Sequence, residues 1–452
     1  MSIPTYSRYK NTDVEWLGSV PDHWDVLPIK RLSVVRRGAS PRPIDDPKYF
    51  DEAGEYAWVR IADVSSSSGY LLESSQQLSS LGSSLSVKIE PGELFVSIAG
   101  TVGKPCIAGI KACIHDGFVY FPELKIDPNL LFRIFEAGIC YGGLGKMGTQ
   151  LNLNTETIGA IKIALPPVDE LKNILNFLDV ELRKIDALVD EQIRLLRLLG
   201  EKRNALVSQA VTKGLAQSSP LKETGVDWIG KIPSHWDVKA IKQVVSTPIT
   251  DGPHETPEFV ESGVPFVSAE AVSSGRIDFS KIRGHITEAA HRGYSAKYKP
   301  QRNDIFMVKS GATTGVTAIV ETDLDFNIWS PLAVVRCGSD MVPQYVLNYM
   351  RSKNFLEGVT LNWSFGTQQN IGMGVIANLA IPVPPKAEQI EIVAYIENQL
   401  GSHVALIADA TRAIGLLRER RAVLISAAVT GKIDVCGLVA KQSDVAEEAI
   451  HG

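Results

Sequence analysis

Two glycine-lysine pairs, Gly103-Lys104 and Gly145-Lys146, are the first residues whose types could cradle a phosphate. Neither has the upstream glycine or the following Ser or Thr of a P-loop, so both read as turns. No G-x-S-x-G elbow, H-E-x-x-H helix or Asn/Asp-Pro-Pro-aromatic motif of an amino-methyltransferase occurs. Pro166-Pro167 and Pro384-Pro385 follow Leu165 and Val383, and read as punctuation before a helix. His23 and His235 each stand directly before Trp-Asp, where packing on the tryptophan and fixing the entry to a domain is the simpler role. The five cysteines, Cys106, Cys113, Cys140, Cys337 and Cys436, never form a C-x-x-C pair. They read as reduced thiols, with neither a disulfide frame nor a zinc site. No catalytic residue and no metal ligand is expected, and the chain is not expected to be an enzyme.

Two stretches concentrate positive charge: Lys30, Arg31, Arg36, Arg37 and Arg42, and then Arg292, Lys297, Lys299, Arg302 and Lys309. Each could be a solvated face or a phosphate contact. The net charge of −5 supplies no general basic surplus, which most nucleic-acid binders show. With 44% hydrophobic and 21% charged residues, the composition excludes a disordered chain. No apolar run is read as reaching the ~18–20 residues that span a bilayer. The start, Met1 to Tyr6, lacks a basic-then-apolar leader pattern, so a cytoplasmic location is expected. At 452 residues, two or three domains are expected.

The chain contains itself twice. Residues Glu15 to Val26, which hold Trp16-Leu17-Gly18, Pro21 and His23-Trp24-Asp25, recur at Asp227 to Val238 as Trp228-Ile229-Gly230, Pro233 and His235-Trp236-Asp237. Gly148-Thr149-Gln150 recurs as Gly366-Thr367-Gln368, and from there the register holds through both Pro-Pro pairs to Val211-Thr212 and Val429-Thr430. Such a repeat, about 210 residues long, is too large for a solenoid and suits a domain plus a helix.

Each copy changes texture at its Pro-Pro. Before it, β-branched and aromatic runs such as Ala57 to Ile61, Phe95 to Ile98, Phe266 to Ser268 and Ile305 to Val308 alternate with Gly, Ser and Pro turns, the pattern of a strand-rich domain. After it, Leu171, Leu175, Leu178, Leu182, Ile185, Val189, Gln192, Leu196 and Leu199 step alternately by four and three. Val393, Ile396, Leu400, His403, Ile407, Ala410, Ile414 and Leu417 occupy the same seam in the second copy. Helices of about 42 residues reach roughly 60 Å and cannot hide in one small domain. Packing on each other as an antiparallel coiled coil is the simplest burial. Gln192 and His403 either fix its register or tolerate a partly wet seam. The fold class expected is α+β, with two strand-rich heads separated by two paired helices. Expected boundaries are 1–165 for the first head, 166–214 for the first helix, 215–383 for the second head, 384–432 for the second helix and 433–452 for a frayed tail carrying Asp444, Glu447 and Glu448.

The duplicated Trp-(Leu/Ile)-Gly-x-(Val/Ile)-Pro-x-His-Trp-Asp-Val, the Gly-Thr-Gln before Pro-Pro, and the helix ending in Glu-(Lys/Arg)-Arg and Val-Thr resemble the specificity subunit of Type I restriction-modification systems. The resemblance covers nearly the whole chain. It implies that each head is a target recognition domain reading half of a bipartite, asymmetric site in double-stranded DNA, while the helices set the spacer. It also implies two methylation subunits docked on the helices and two restriction/translocase subunits. S-adenosylmethionine, ATP and Mg would sit on those partners, leaving this chain without a cofactor and non-catalytic. One departure is Glu170-Leu171 at the first helix start, against Glu388-Gln389 at the second.

If the heads read DNA, base contacts need Arg or Lys for guanine, Asn or Gln for adenine, and Asp or Glu for cytosine. Arg37, Ser40 and Arg42 are the leading candidates in the first copy, followed by Arg60, Thr101, Lys104, Thr149 and Gln150. In the second copy the candidates are Thr250, Asp251 and His254, with Ser268, Lys309, Ser310, Thr313, Thr314, Thr367 and Gln368 behind them. Gly103 and Gly315 would allow a close approach to phosphate. The paired Gly-Thr-Gln suits a turn or a phosphate contact better than base readout, since it is common to both copies. Three rivals stand beside this reading: a related system with its methylase organised differently, an adaptor with two peptide- or glycan-binding heads, and a self-contained enzyme.

Overall fold

The computed structural model describes residues 4–142, 144, 153–216, 218–362 and 370–437. The chain forms two compact units, one made of Met1–Gln192 with Arg412–Gly452 and the other of Ile193–Thr411. The cut therefore passes through both long helices, Val168–Lys213 and Lys386–Val429. Each unit holds the first part of one helix and the last part of the other.

In the first unit, a five-stranded sheet runs in the order Arg36–Arg37, Phe118–Tyr120, Leu94–Ser97, Pro105–Ala108, Tyr70–Leu71. Beside it lies a four-stranded sheet, Gln77–Leu78, Tyr56–Val59, Ala112–Ile114, Val87–Ile89. The central strands are buried along their whole length rather than on alternate residues, as expected of strands covered on both faces. The second unit repeats the plan with two four-stranded sheets, the first ordered Thr250–Asp251, Leu332–Val335, Ile305–Val308, Thr317–Ile319. A short antiparallel pair closes each head against its own helix, Asp25–Pro28 with Lys162–Leu165 and Asp237–Ala240 with Ala380–Val383. The α+β class is thus what folds.

Every residue of the two heptad seams is buried or half-buried. In the first unit, Ile425, Ala428 and Val429 join Leu171, Ile174, Leu178 and Leu182 in one core. In the second unit, Val207, Ala210 and Val211 join Ile392, Val393 and Ile396. The direction is antiparallel in both. Arg421 meets Asp186, whereas ten residues further on Gly431 abuts Trp24, which bonds Glu170. Likewise Gly214 abuts Glu388 and Trp236, while Arg203 faces the same cleft as His403. One correction concerns apolarity: Lys386–Val429 does contain an 18-residue window long and apolar enough, by length and composition only, to cross a bilayer.

The repeated entry motif is a clamp. His23 Nε2 lies 2.8 Å from Glu170 Oε2, and Trp24 Nε1 donates to Glu170 Oε1 at 2.9 Å. His235 and Trp236 meet Glu388 at 2.9 and 3.0 Å. Both tryptophans are fully buried, so each indole N–H needs this acceptor. The glycine closing the other helix completes the joint: Gly431 and Gly214 have φ of +68° and +71°, and a Cβ on Gly431 would lie 2.3 Å from Pro21 Cδ. The departure at Leu171 and Gln389 also has a reason. Leu171 joins the apolar core, whereas the buried Gln389 accepts from the Val342 N–H at 2.8 Å and donates to Pro384 O at 3.0 Å, holding the turn before the next helix. Glu388→Ala strands a buried indole N–H and is expected to cost about 2 kcal/mol, lowering the melting temperature of its unit by about 4–8 °C in thermal unfolding; a shift below 1 °C would show that the clamp is idle.

Candidate nucleic-acid interface

In the first unit, the edge strand Arg36–Arg37 pairs with Phe118–Tyr120 and runs into the Gly38 to Arg42 segment. Gly38 permits this because a Cβ there would lie 2.2 Å from the His115 carbonyl oxygen. The loop is so pressed against the turn His115-Asp116-Gly117. Asp116 gathers the three leading candidates. Arg37 Nε donates to its carbonyl oxygen, Ser40 Oγ to Oδ1 at 3.3 Å and Arg42 Nη2 to Oδ2 at 3.2 Å. His115 is held by its neighbours: Gly117 N–H donates to Nδ1 at 2.9 Å, and its ring packs 4.6 Å from Phe118 and 5.8 Å from Trp58. Burial lowers its pKa, with Asp116 opposing.

The other candidates of this head border the short helix Ile61–Ser66. Arg60 ion-pairs with Asp63 at 3.1 Å across its first turn. Lys104 Nζ donates to the carbonyls of Ser65 and Ser67 at 2.8 and 3.0 Å, and the Thr101 and Ser65 hydroxyls meet at 2.5 Å. Gly103 holds φ +86° against the Tyr141 ring. Its role here is packing, not an open approach to a ligand. The two groups adjoin, since Ile98 N–H donates to Gly117 O at 2.8 Å.

The second unit uses a different centre. Asp251 is fully buried, and Lys297 Nζ, His254 Nε2 and Lys309 Nζ lie 2.8, 3.0 and 3.3 Å from its oxygens. Burial opposes its ionisation, but Lys297 and then Lys309 more than offset that and hold the carboxyl below the usual carboxylate range. A sealed carboxylate does not face solvent as an acceptor for cytosine; what this site exposes is the side chains around it, above all Lys297 and the His254 ring. Thr250 pairs with Val334 in the sheet. Ser268 is buried at the start of the helix Ala269–Val272, its hydroxyl without a partner. Ser310, Thr313 and Thr314 lie on the turn between Ile305–Val308 and Thr317–Ile319, closed by Gly315 N–H to Val308 O at 2.8 Å. Ser310 bridges to Asn370, and Ile371 N–H donates to Lys309 O.

Thr149, Gln150, Thr367 and Gln368 lie outside the described residues, as do Gly145, Lys146, Asp444, Glu447 and Glu448. Sequence reasoning missed Asp116 and His115, which have no counterpart at the same spacing in the second copy. It also passed over Lys297 as a site residue, although that lysine stood in the second basic stretch.

Two strand-rich units on one framework, each displaying its own cation-bearing loops, define a duplicated recognition protein. The family model described as "Type I restriction modification DNA specificity domain" matches residues 21–195 and 233–409, the two starts falling at the same offset as His23 and His235. The chain belongs to this family and carries its DNA specificity domain twice. It is 24% identical to the Type I restriction enzyme EcoBI specificity subunit of Escherichia coli over 285 residues, 59% of each chain, and so aligns with less than two thirds of that protein's length. Identity to the EcoKI specificity subunit of Escherichia coli (strain K12) is 21% over 439 residues, 88% of each chain. A solved structure described as the structural basis of complex assembly and conformational transition of the type I R-M system contains a chain with the same fold. Its TM-score is 0.61 at 19% identity, over 91% of this chain and 98% of that one.

The buried acid gives a pH signature. Its folded-state pKa is depressed, so its stabilisation is present above the unfolded value of ~4 and is lost as pH falls through the folded one. Asp251→Asn is therefore expected to cost about 2 kcal/mol at pH 7 and to flatten the loss of stability below about pH 4 in chemical denaturation; an unchanged acid limb would contradict the site.

Proposed function

We propose that the chain is the sequence-recognition subunit of a Type I restriction-modification complex, acting on double-stranded DNA without catalysing a reaction itself. Each head, 1–165 and 215–383, reads one half of a bipartite, asymmetric site. The helices, 166–214 and 384–432, set the spacer and dock two methylation subunits, with two restriction subunits completing the nuclease. S-adenosylmethionine, ATP and Mg belong to those partners, and the assembly works in the cytoplasm, where DNA is.

The observation that carries this reading is divergence on a shared frame. The clamp, the helix seams and the order of the central strands recur, whereas the gathered side chains differ: arginines on Asp116 in one head, lysines and a histidine around Asp251 in the other. Two different half-sites need that combination. The exposed ends of Arg42, His254 and Lys297 are fitted to base edges or phosphates by type. Arg37, Ser40, Arg60, Thr101, Lys104, Thr250, Lys309, Ser310, Thr313 and Thr314 are assigned to the same two surfaces. Thr149, Gln150, Thr367 and Gln368 are kept as phosphate contacts. Asp251 serves by positioning its basic neighbours, while the buried Ser268 hydroxyl has no partner to position.

Mapping methylated adenines genome-wide, with the gene present and deleted, tests the reading. A two-part asymmetric motif should vanish on deletion, and an unchanged map refutes the function. Exchanging residues 25–165 for those of another family member should rewrite one half of that motif only; a change in both halves contradicts independent heads. In the assembled complex, Lys297→Ala is expected to weaken binding about equally on all sequences and reduce the slope of log K against log salt by about 1, as measured by fluorescence anisotropy.

A further inference from the structure

The two units keep equivalent clefts between head and helices, but their chemistry is inverted. In the first unit the cleft, about 740 Å³, has its arginine neutralised from within. Arg421, from the last part of the second long helix, pairs with Glu136 and with Asp186, each at 2.9 Å. Glu136 stands near the end of the helix Pro128–Ala137, and Asp186 lies on the first long helix.

The repeat register identifies the matching residues in the second unit. Arg421 corresponds to Arg203, through Glu419-Arg420-Arg421 and Glu201-Lys202-Arg203. Aligning the prolines that open Pro128–Ala137 and Pro343–Met350 sets Arg351 opposite Glu136. Asp186 corresponds to Val404, and Ile185 to His403. An arginine held by two carboxylates in one unit therefore has an arginine and a valine at the matching places in the other.

These residues line one cleft of about 660 Å³ together with Arg276. Among the described residues, no carboxylate ion-pairs with Arg203, Arg276 or Arg351. Arg351 donates to the carbonyls of Gly275 and Thr317 at 2.5 and 3.0 Å. Burial, followed by Arg203 and Arg276, holds its pKa down to about 10. Two further features are unsatisfied: Val404 is 65% exposed, and the Nδ1 of the buried His403 has no partner. Glu321 and Glu397 also border the cleft, against three arginines, and the volume is far too small for duplex DNA. Guanidinium groups beside an apolar wall suit carboxylates carried on an apolar segment.

We propose that this cleft docks an acidic, apolar-flanked peptide segment of a partner subunit, whose carboxylates occupy the places that Glu136 and Asp186 fill in the first unit. The asymmetry gives the duplicated chain one docking point for such a segment where its framework would otherwise offer two. The assignment rests on the functional reading above for the existence of protein partners, and not for the chemistry of the cleft.

The test uses the full chain purified with the methylation subunits encoded beside it, carrying the photo-crosslinking residue p-benzoylphenylalanine at Val404. Irradiation followed by peptide mass spectrometry should join that position to a partner segment with at least two Asp or Glu side chains. Arg351→Glu rebuilds the internal pair with Arg203 and should cut the crosslink yield about ten-fold, whereas Arg351→Lys should retain it. Exchanging the captured acidic residues for lysine in the Arg351→Glu background should restore it. A crosslink to DNA, to a segment without acids, or to nothing overturns the proposal, as does a yield indifferent to Arg351→Glu. Methylation of a two-part site by the same preparation is scored in parallel. Activity without the crosslink sinks only the docking segment, while a complex that modifies no such site sinks the functional reading.

Discussion

A carboxylate at the first turn of each long helix, Glu170 or Glu388, accepts the indole N–H of a fully buried tryptophan and meets the neighbouring histidine. That contact welds head to helix. Because the tryptophan also packs on the glycine that ends the opposite helix, three remote stretches of sequence close on one point. The helices impose the complementary constraint. Their apolar seams are covered within each unit by residues of both helices, so the core of the first unit draws on Ile425, Ala428 and Val429 from near the far end of the chain. The first unit is therefore not a contiguous piece of sequence, although the second is, and a chain cut after its first helix would leave that core open.

On this frame the heads have separated in chemistry. In each, an acidic residue collects basic side chains: Asp116 partly exposed in one, Asp251 sealed in the other. Charges held this way stay in place at modest cost, because the collecting carboxylate offsets their mutual repulsion. The overall charge of −5 is compatible with such local concentration. Composition sums over the acids that hold the cations as well as over the cations.

Much of the architecture was legible because it depended on repetition and period. The offset duplication located both entry motifs, and the alternation of four and three located both seams, since a helix that buries a stripe must write it at that spacing. The structural role read for His23 and His235 agrees with the clamp, although the glutamate partner was visible only as part of the helix start. The candidate interface was legible by region more than by residue. Arg37, Ser40 and Arg42 do come together, but on Asp116, which lies 74 residues from Arg42 in sequence and recurs nowhere at the same spacing. Asp251 was chosen for its residue type on a loop; the structure puts it inside, where type alone says nothing of burial. The inverted cleft of the second unit could be found only by superposing two framework positions, Glu136 and Arg351, that belong to differently spaced parts of the repeat.

The claim at the centre is that two unlike heads on one chain meet one duplex at two separate places. Hydroxyl-radical footprinting of the assembled complex on its mapped methylation site tests this directly. Two protected patches with an accessible spacer between them are predicted. A single uninterrupted patch, or one patch with the second half of the motif left open to cleavage, would contradict it.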